Sequence, residues 1–232
     1  MNAQVQIITT PFIFNISVNC YLVRVNEGFI LIDTATAGKR RAVETALAQA
    51  GCTPGTLKLI VLTHGDFDHC GNAAYLSRKY GTQVAMHVDD TGMVERGDMF
   101  WNRKQPNALV KAMIGVLLGL HPSDRFKPDF YLREGESLNA YGLEATVISL
   151  PGHSKGNIGI LTAAGDLFCG DLFGNLNQPE LWSLIDDQAA AEASVRKVQS
   201  LPVTSVYPGH GKPFQIAQLR SPLPQPELVG AS

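Results

Sequence analysis

Residues 57–71, LKLIVLTHGDFDHCG, set four side chains able to bind a metal ion, His64, Asp66, Asp68 and His69, directly behind an apolar β-branched run. That run, Leu59, Ile60, Val61 and Leu62, reads as a buried strand, and the residues beyond it as a loop at its carboxyl end. Ligands of layered α/β proteins bind at such ends. His64, Asp66 and Asp68 alternate, so an extended loop can point all three the same way, and His69 adds a second imidazole. The competing reading is an ordinary polar turn, which Asp favours. The rest of the chain bears on the choice. Pro151-Gly152-His153 and Pro208-Gly209-His210 each follow an apolar strand-like run, 145–150 and 203–207, and a third run, 166–170, ends in Asp171. Four strand ends carrying nitrogen or oxygen ligands are what one shared metal site would require.

Taken together, HxDxDH from His64 to His69, PGH at His153, GD at Asp171 and PGHG at His210 resemble the metallo-β-lactamase-fold superfamily, over about residues 19–214. The family's usual loop is HxHxDH, so Asp66 stands where a His is usual. The resemblance implies a mixed α/β fold, a four-layer αββα sandwich, and two divalent metal ions, with zinc expected. Position by position it puts His64, Asp66 and His153 on the first metal, Asp68, His69 and His210 on the second, and Asp171 between them. The activity it implies is hydrolysis of an ester, thioester, lactone or similar bond by a hydroxide shared between the metals, with Asp68 orienting it and passing on its proton.

The carboxylate of Asp66 is expected to move metal preference from zinc toward iron or manganese, which favour oxygen donors; otherwise it turns away and the first metal binds weakly. It also opens a second reading, an iron-dependent oxidoreductase, because the flavodiiron reductases resemble this chain in carrying a carboxylate there. A non-catalytic binding member is the third. Within the hydrolases, 232 residues are expected to leave out the C-terminal helical domain of the glyoxalase II relatives. Gly174 stands where the acyl-homoserine lactonases place a Tyr.

Several elements must position these side chains. Strands are expected over 4–9, 19–25, 29–33, 57–62, 83–87, 143–150, 158–161, 167–170, 205–207 and 214–217, with a hairpin turn at Asn26-Glu27-Gly28. Helices are expected over 39–50, stopped by Gly51, over 71–80, stopped by Gly81, and over 187–201. Asp33, at a strand end, is expected either to support a metal-bound His or to cap a turn, and His87 to be structural or supporting. Asp186 and Asp187 read as a helix cap and dipole partner. Residues 1–220 read as a single domain with a helical insertion around 95–130 that covers the substrate or forms a homodimer, and 221–232 as a loose tail. The apolar run 109–120 is shorter than the roughly 20 residues a membrane crossing needs, so no stable membrane insertion is expected. A net charge of −2 gives nucleic acid no basic face to bind, leaving a small molecule as the expected substrate. The N-terminus lacks an export pattern, and Cys20, Cys52, Cys70 and Cys169 lack metal-type spacing, which together point to the cytoplasm and to reduced, buried thiols.

Overall fold

A computed structural model of the chain describes residues 4–12 and 16–219, so the expected tail at 221–232 lies outside the described residues. The first half builds a sheet from β1 (Val5–Pro11), β2 (Ser17–Val25), β3 (Gly28–Ile32), β4 (Leu57–Val61), β5 (Gln83–Met86) and β6 (Phe130–Tyr131), which lie side by side in chain order. β1, β2 and β3 are antiparallel, and β2 turns into β3 at the expected hairpin, pairing Val25 with Gly28. From β3 onward the strands are parallel. The crossovers carry α1 (Arg40–Gln49), the short α2 (Phe67–Cys70), α3 (Ala73–Tyr80), α4 (Thr91–Arg96) and α5 (Ala108–Leu118).

The second half builds another sheet from β7 (Ala145–Ser149), β8 (Ile158–Thr162), β9 (Asp166–Asn175), β10 (Glu180–Leu181), β11 (Ser205–Gly211) and β12 (Phe214–Gln215). Its order is β12-β11-β9-β8-β7, with β10 on β9, and α6 (Gln188–Ser200) joins β10 to β11.

Alternation along the strands decides the layering. Tyr21, Val23, Ile30, Ile32, Leu59 and Val61 face Val147, Ile158, Ile160 and Phe168 of the second sheet. The intervening residues Cys20, Leu22, Leu31 and Ile60 face Val43 and Leu47 of α1 and Leu76 of α3. On the far side, Leu167, Cys169 and Val206 pack on Ala191, Val195 and Val198 of α6. The result is helix, sheet, sheet, helix, the expected sandwich. Each buried Leu, Ile or Val stabilises it by about 1.5–3 kcal/mol, so the three apolar interfaces between these four layers fix the strand ends that carry the polar cluster. No helix among the described residues is long and apolar enough to cross a membrane.

Several boundaries differ from expectation, for local reasons. The expected helix over 71–80 begins only at Ala73, with α2 a separate turn before it, and between the two Asn72 Nδ2 donates to the carbonyls of Thr34 and Thr36, both at 2.7 Å. Asp171 does not end its strand: β9 runs on to Asn175, bent at Gly170 (φ 55°) and paired with β11 and β10. Likewise β11 carries on through His210, and the last strand is only Phe214–Gln215 before a turn of 3-10 helix. In the 95–130 segment α5 exposes Leu109 and Met113 and is tied back by Lys111 Nζ to Asp98, 2.8 Å. The turn before it seats Trp101 against Gly92, where a β-carbon would lie 2.0 Å from the indole, and sends Arg103 inward.

Candidate metal centre

All seven expected side chains meet at one edge of the seam between the sheets. His64 and Asp66 lie on the stretch leaving β4, and Asp68 and His69 on the turn of α2. The extended-loop argument therefore holds only to Asp66, because a helix, not an extended strand, places Asp68 and His69. His153 follows β7, Asp171 lies in β9 and His210 in β11. One donor atom each from His64, Asp66 and His153 lie within 4.8 Å of one another, as do those of Asp68, His69 and His210, and those of His64, His69 and Asp171. Asp171 Oδ2 is 3.1 Å from His210 Nε2 and 3.9 Å from His153 Nε2, while its Oδ1 is 3.5 Å from His69 Nε2.

The hydrogen bonds fix which nitrogen faces inward. His153 Nδ1 lies 2.6 Å from the Leu184 carbonyl and His210 Nδ1 2.8 Å from that of Ser17. A carbonyl only accepts, so both Nδ1 atoms carry hydrogen and donate. His69 Nδ1 donates to Asp33 Oδ2 at 2.9 Å. Thr63 Oγ1 gives its own proton to Asp33 Oδ2, so at 3.0 Å it accepts from His64 Nδ1. All four Nε2 atoms thus turn toward the carboxylates, the tautomer and orientation a metal-binding imidazole needs. His64 Nε2, His69 Nε2 and Asp171 Oδ1 are buried with no hydrogen-bond partner among the described residues. Leaving such atoms unpaired costs about 1–3 kcal/mol each. Four inward Nε2 atoms, able to offer lone pairs once any proton is lost, and three carboxylates, with three of these polar atoms unpaired, are the donor set that divalent ions fit.

Asp33 is a supporting group, the first of the two roles expected of it. Held at φ 60°, it accepts from Thr63 N and Thr63 Oγ1, both 2.8 Å, and from His69, and so fixes two imidazoles at once. Asn tolerates that backbone but leaves one of these donors unmatched. Asp33→Asn is expected to fold and to bind zinc about 10–100-fold more weakly. Competition against a chromophoric chelator measures this, and an unchanged affinity contradicts it.

Two further residues were invisible in the sequence pattern. Asp90, 1% exposed, accepts from Gly65 N, Ser154 Oγ and Gly156 N, locking the His64 loop to the His153 loop. Arg103 makes a two-pronged bond to Asp66, Nη1 to Oδ1 at 2.6 Å and Nη2 to Oδ2 at 3.2 Å. Asp186, expected only as a cap or dipole partner, instead forms an ion pair with Arg103, its Oδ2 2.6 Å from Nε, while Asp187 caps α6 as expected. Neither Arg103 nor Asp90 has a periodic signature; the one available signal was a charge inside the apolar stretch around Trp101. His87 stands apart, accepting from Asp89 N, and Cys70 is buried with its thiol on the Gly65 carbonyl.

Charge follows from this crowding. Burial opposes charge on His69, but Asp171, Asp68 and Asp33 outweigh it and push its pKa up to about 10. His153 behaves likewise: burial opposes the charge, Asp66 and Asp171 prevail, and it rises to about 9. Burial and the neighbouring His69 and His153 push His64 down. Asp66 lies well below the usual carboxylate range, burial being outweighed by Arg103 and His153. Burial raises Asp68. His69 and His153 bind protons more tightly folded than unfolded. Their contribution to stability is complete below about pH 6.5 and lost as pH rises through about 9 and 10. In chelator the melting temperature is expected to fall between pH 7 and pH 9, and calorimetry showing a rise contradicts this assignment.

Comparison with known proteins places this geometry among relatives. A family model described as the metallo-beta-lactamase superfamily matches residues 14–210. The chain is 29% identical over 210 residues to metallo-beta-lactamase domain-containing protein 1 of Homo sapiens, covering 88% of this chain and 65% of that one. It therefore spans under two thirds of that relative. It is 33% identical over 106 residues to hydroxyacylglutathione hydrolase GloC of Haemophilus influenzae (45% of this chain, 44% of that one). It is 29% identical over 221 residues to an acyl-coenzyme A thioesterase of Bos taurus (87% and 75%). Among solved structures, TTHA1623 in a di-iron-bound form superposes with a TM-score of 0.67 at 27% identity, covering 87% of this chain and 91% of that one.

Proposed function

This chain belongs to the metallo-beta-lactamase superfamily, and from that premise we propose that it is a metal-dependent hydrolase of a thioester or a related acyl bond. The observation that carries the reading is the outward hydrogen bond on Nδ1 of all four imidazoles, which leaves every Nε2 facing Asp66, Asp68 and Asp171. His64, Asp66 and His153 form one metal pocket, Asp68, His69 and His210 the other, and Asp171 faces both. The thioester is favoured by the printed activities of two relatives, a hydroxyacylglutathione hydrolase and an acyl-coenzyme A thioesterase.

Bound divalent ions supply an acidified water and a polarised acyl group at this site. Asp68 lies 3.6 Å from His210 Nε2 and 3.8 Å from His69 Nε2, and burial raises its proton affinity. It takes the proton of the attacking water and returns it to the departing thiolate. Asp33, Thr63 and the carbonyls of Ser17 and Leu184 keep the four rings from turning during that transfer. The products are a carboxylic acid and a thiol. Zinc is the proposed metal. The charge of Asp66 would favour iron or manganese, but the Arg103 guanidinium, which lies against both its oxygens and stays beside the pocket even where one nitrogen gives way, offsets part of that charge. The four buried thiols, each outside any disulfide, support a reducing compartment, the cytoplasm.

A second reading, an iron-dependent oxidoreductase, is favoured by Asp66 and by the di-iron neighbour. Elemental analysis of the purified protein, an oxygen electrode and a panel of thioesters, esters and lactones separate the two. Zinc with thioester cleavage and no oxygen uptake is the expected result. Iron with oxygen uptake and no hydrolysis reverses the order, and a protein that takes up no metal removes both.

A further inference from the structure

We propose that the guanidinium of Arg103 occupies the place of a cation in the pocket of His64, Asp66 and His153, so that the two metal pockets differ in affinity and the pocket of Asp68, His69 and His210 fills first. The inference rests on the metal-dependent reading above and adds an order of loading to it.

The geometry is specific to one pocket. Arg103 Nη1 lies 2.6 Å from Asp66 Oδ1, and Nη2 lies 3.2 Å from Asp66 Oδ2. The same Nη2 is 3.3 Å from His153 Nε2, the ring nitrogen that would face an ion, and 3.4 Å from the His153 carbonyl. One guanidinium nitrogen therefore lies against two of the pocket's three donor atoms. It is anchored from behind as well, Nε to Asp186 Oδ2 at 2.6 Å and Nη1 to the Met99 carbonyl at 3.3 Å. The side chain is only 12% exposed. A planar, permanently charged fork in a two-pronged carboxylate bond is the strongest kind of side-chain hydrogen bonding.

Among the described residues the other pocket has no such tenant. Asp68, His69, His210 and Asp171 are backed by Asp33, the Ser17 carbonyl and the face of Trp182, which stacks on His210 at 4.5 Å. Two carboxylates address an ion there, and among the described residues no Lys or Arg contacts its donor atoms. At the first pocket an arriving ion must displace Nη2 from Asp66 and His153 and then sit beside a like charge. Asp186, 40% exposed, is the carboxylate left to hold the displaced guanidinium.

The test is titration of chelator-stripped protein with zinc, followed by calorimetry and native mass spectrometry, and repeated with cobalt to read each site by its visible spectrum. Wild type is expected to take one tight equivalent and a second roughly 10–100-fold weaker, the size of effect that neighbours of metal ligands exert. Arg103→Met is expected to bring the second equivalent to within about threefold of the first. Arg103→Lys keeps charge but loses the fork, and is expected to fall between them; it carries the test alone if the Met variant does not fold. Two equal equivalents in wild type, or a second equivalent unmoved in both variants, overturn the proposal while leaving the hydrolase reading intact. No metal bound by any of the three proteins overturns the hydrolase reading itself, and this proposal with it.

Discussion

Asp171→Asn is expected to strip the protein of most of its metal and to lower thioester turnover by about 10³-fold or more while the fold survives. Asp171 is the one carboxylate that faces both pockets, 3.1 Å from His210 Nε2, 3.5 Å from His69 Nε2 and 3.9 Å from His153 Nε2. The amide matches its shape and removes its charge. It also points either a donor or a weaker acceptor at ring nitrogens that need an anion between them. Lewis-acid stabilisation is worth several kcal/mol, and about 4 kcal/mol corresponds to three powers of ten in rate. The fold survives because the peptide of Asp171 is held independently, its N–H on Asn157 Oδ1 at 3.3 Å and its strand on β11. Elemental analysis, circular dichroism and turnover measured on one preparation check all three statements. Full metal content with full turnover would remove Asp171 from the site.

Gly209→Ala is expected to be as damaging by a different route. A β-carbon at residue 209 would lie 2.1 Å from Asp171 Oδ1 and 2.6 Å from His69 Cε1. Neither neighbour can retreat. His69 is pinned to Asp33, and Asp171 is hemmed in by three imidazoles. The Gly209 backbone cannot retreat either, because the Pro208 carbonyl before it accepts from Tyr21 Oη at 2.5 Å and Asn19 Nδ2 at 3.1 Å. Overpacking of this kind costs about 1–3 kcal/mol, a loss of about 2–12 °C in melting temperature for a chain of this size. Metal binding is expected to fall with it. Gly115→Ala, where a β-carbon meets nothing within 4 Å, is the control. If the two alanine variants melt together and bind metal equally, the close approach at Gly209 is not what holds Asp171 and His69 in place.

The strands of the sandwich and all seven polar side chains were legible in the chain, while the stacking of those strands into a sandwich was implied by the family resemblance rather than by any local rule. Near-continuous apolar runs in residues 19–25, 29–33 and 57–62 mark strands buried on both faces, and His64, His153 and His210 stand just past or within apolar runs. What the chain concealed is non-local. Arg103 meets Asp66 across 37 positions, from a segment without periodicity. Its presence changes the electrostatics: the carboxylate that seemed to add charge to the first pocket arrives already paired. Asp186 was misread for the same reason, since a cap position says nothing of a guanidinium from another turn. β6 and β10 have two residues each, too few for alternation to register. β9 outran its apolar run because sheet pairing carries it past the bend at Gly170.

The polar cluster is divided between the layers, four side chains arriving from beyond β4 and three from the β7, β9 and β11 side. An ion held there would rivet one layer to the other, so separating them would mean breaking coordination bonds as well as apolar contacts. Bound metal then stabilises the folded chain by mass action. Scarcity of the ion would shorten the working life of the molecule as well as idle it.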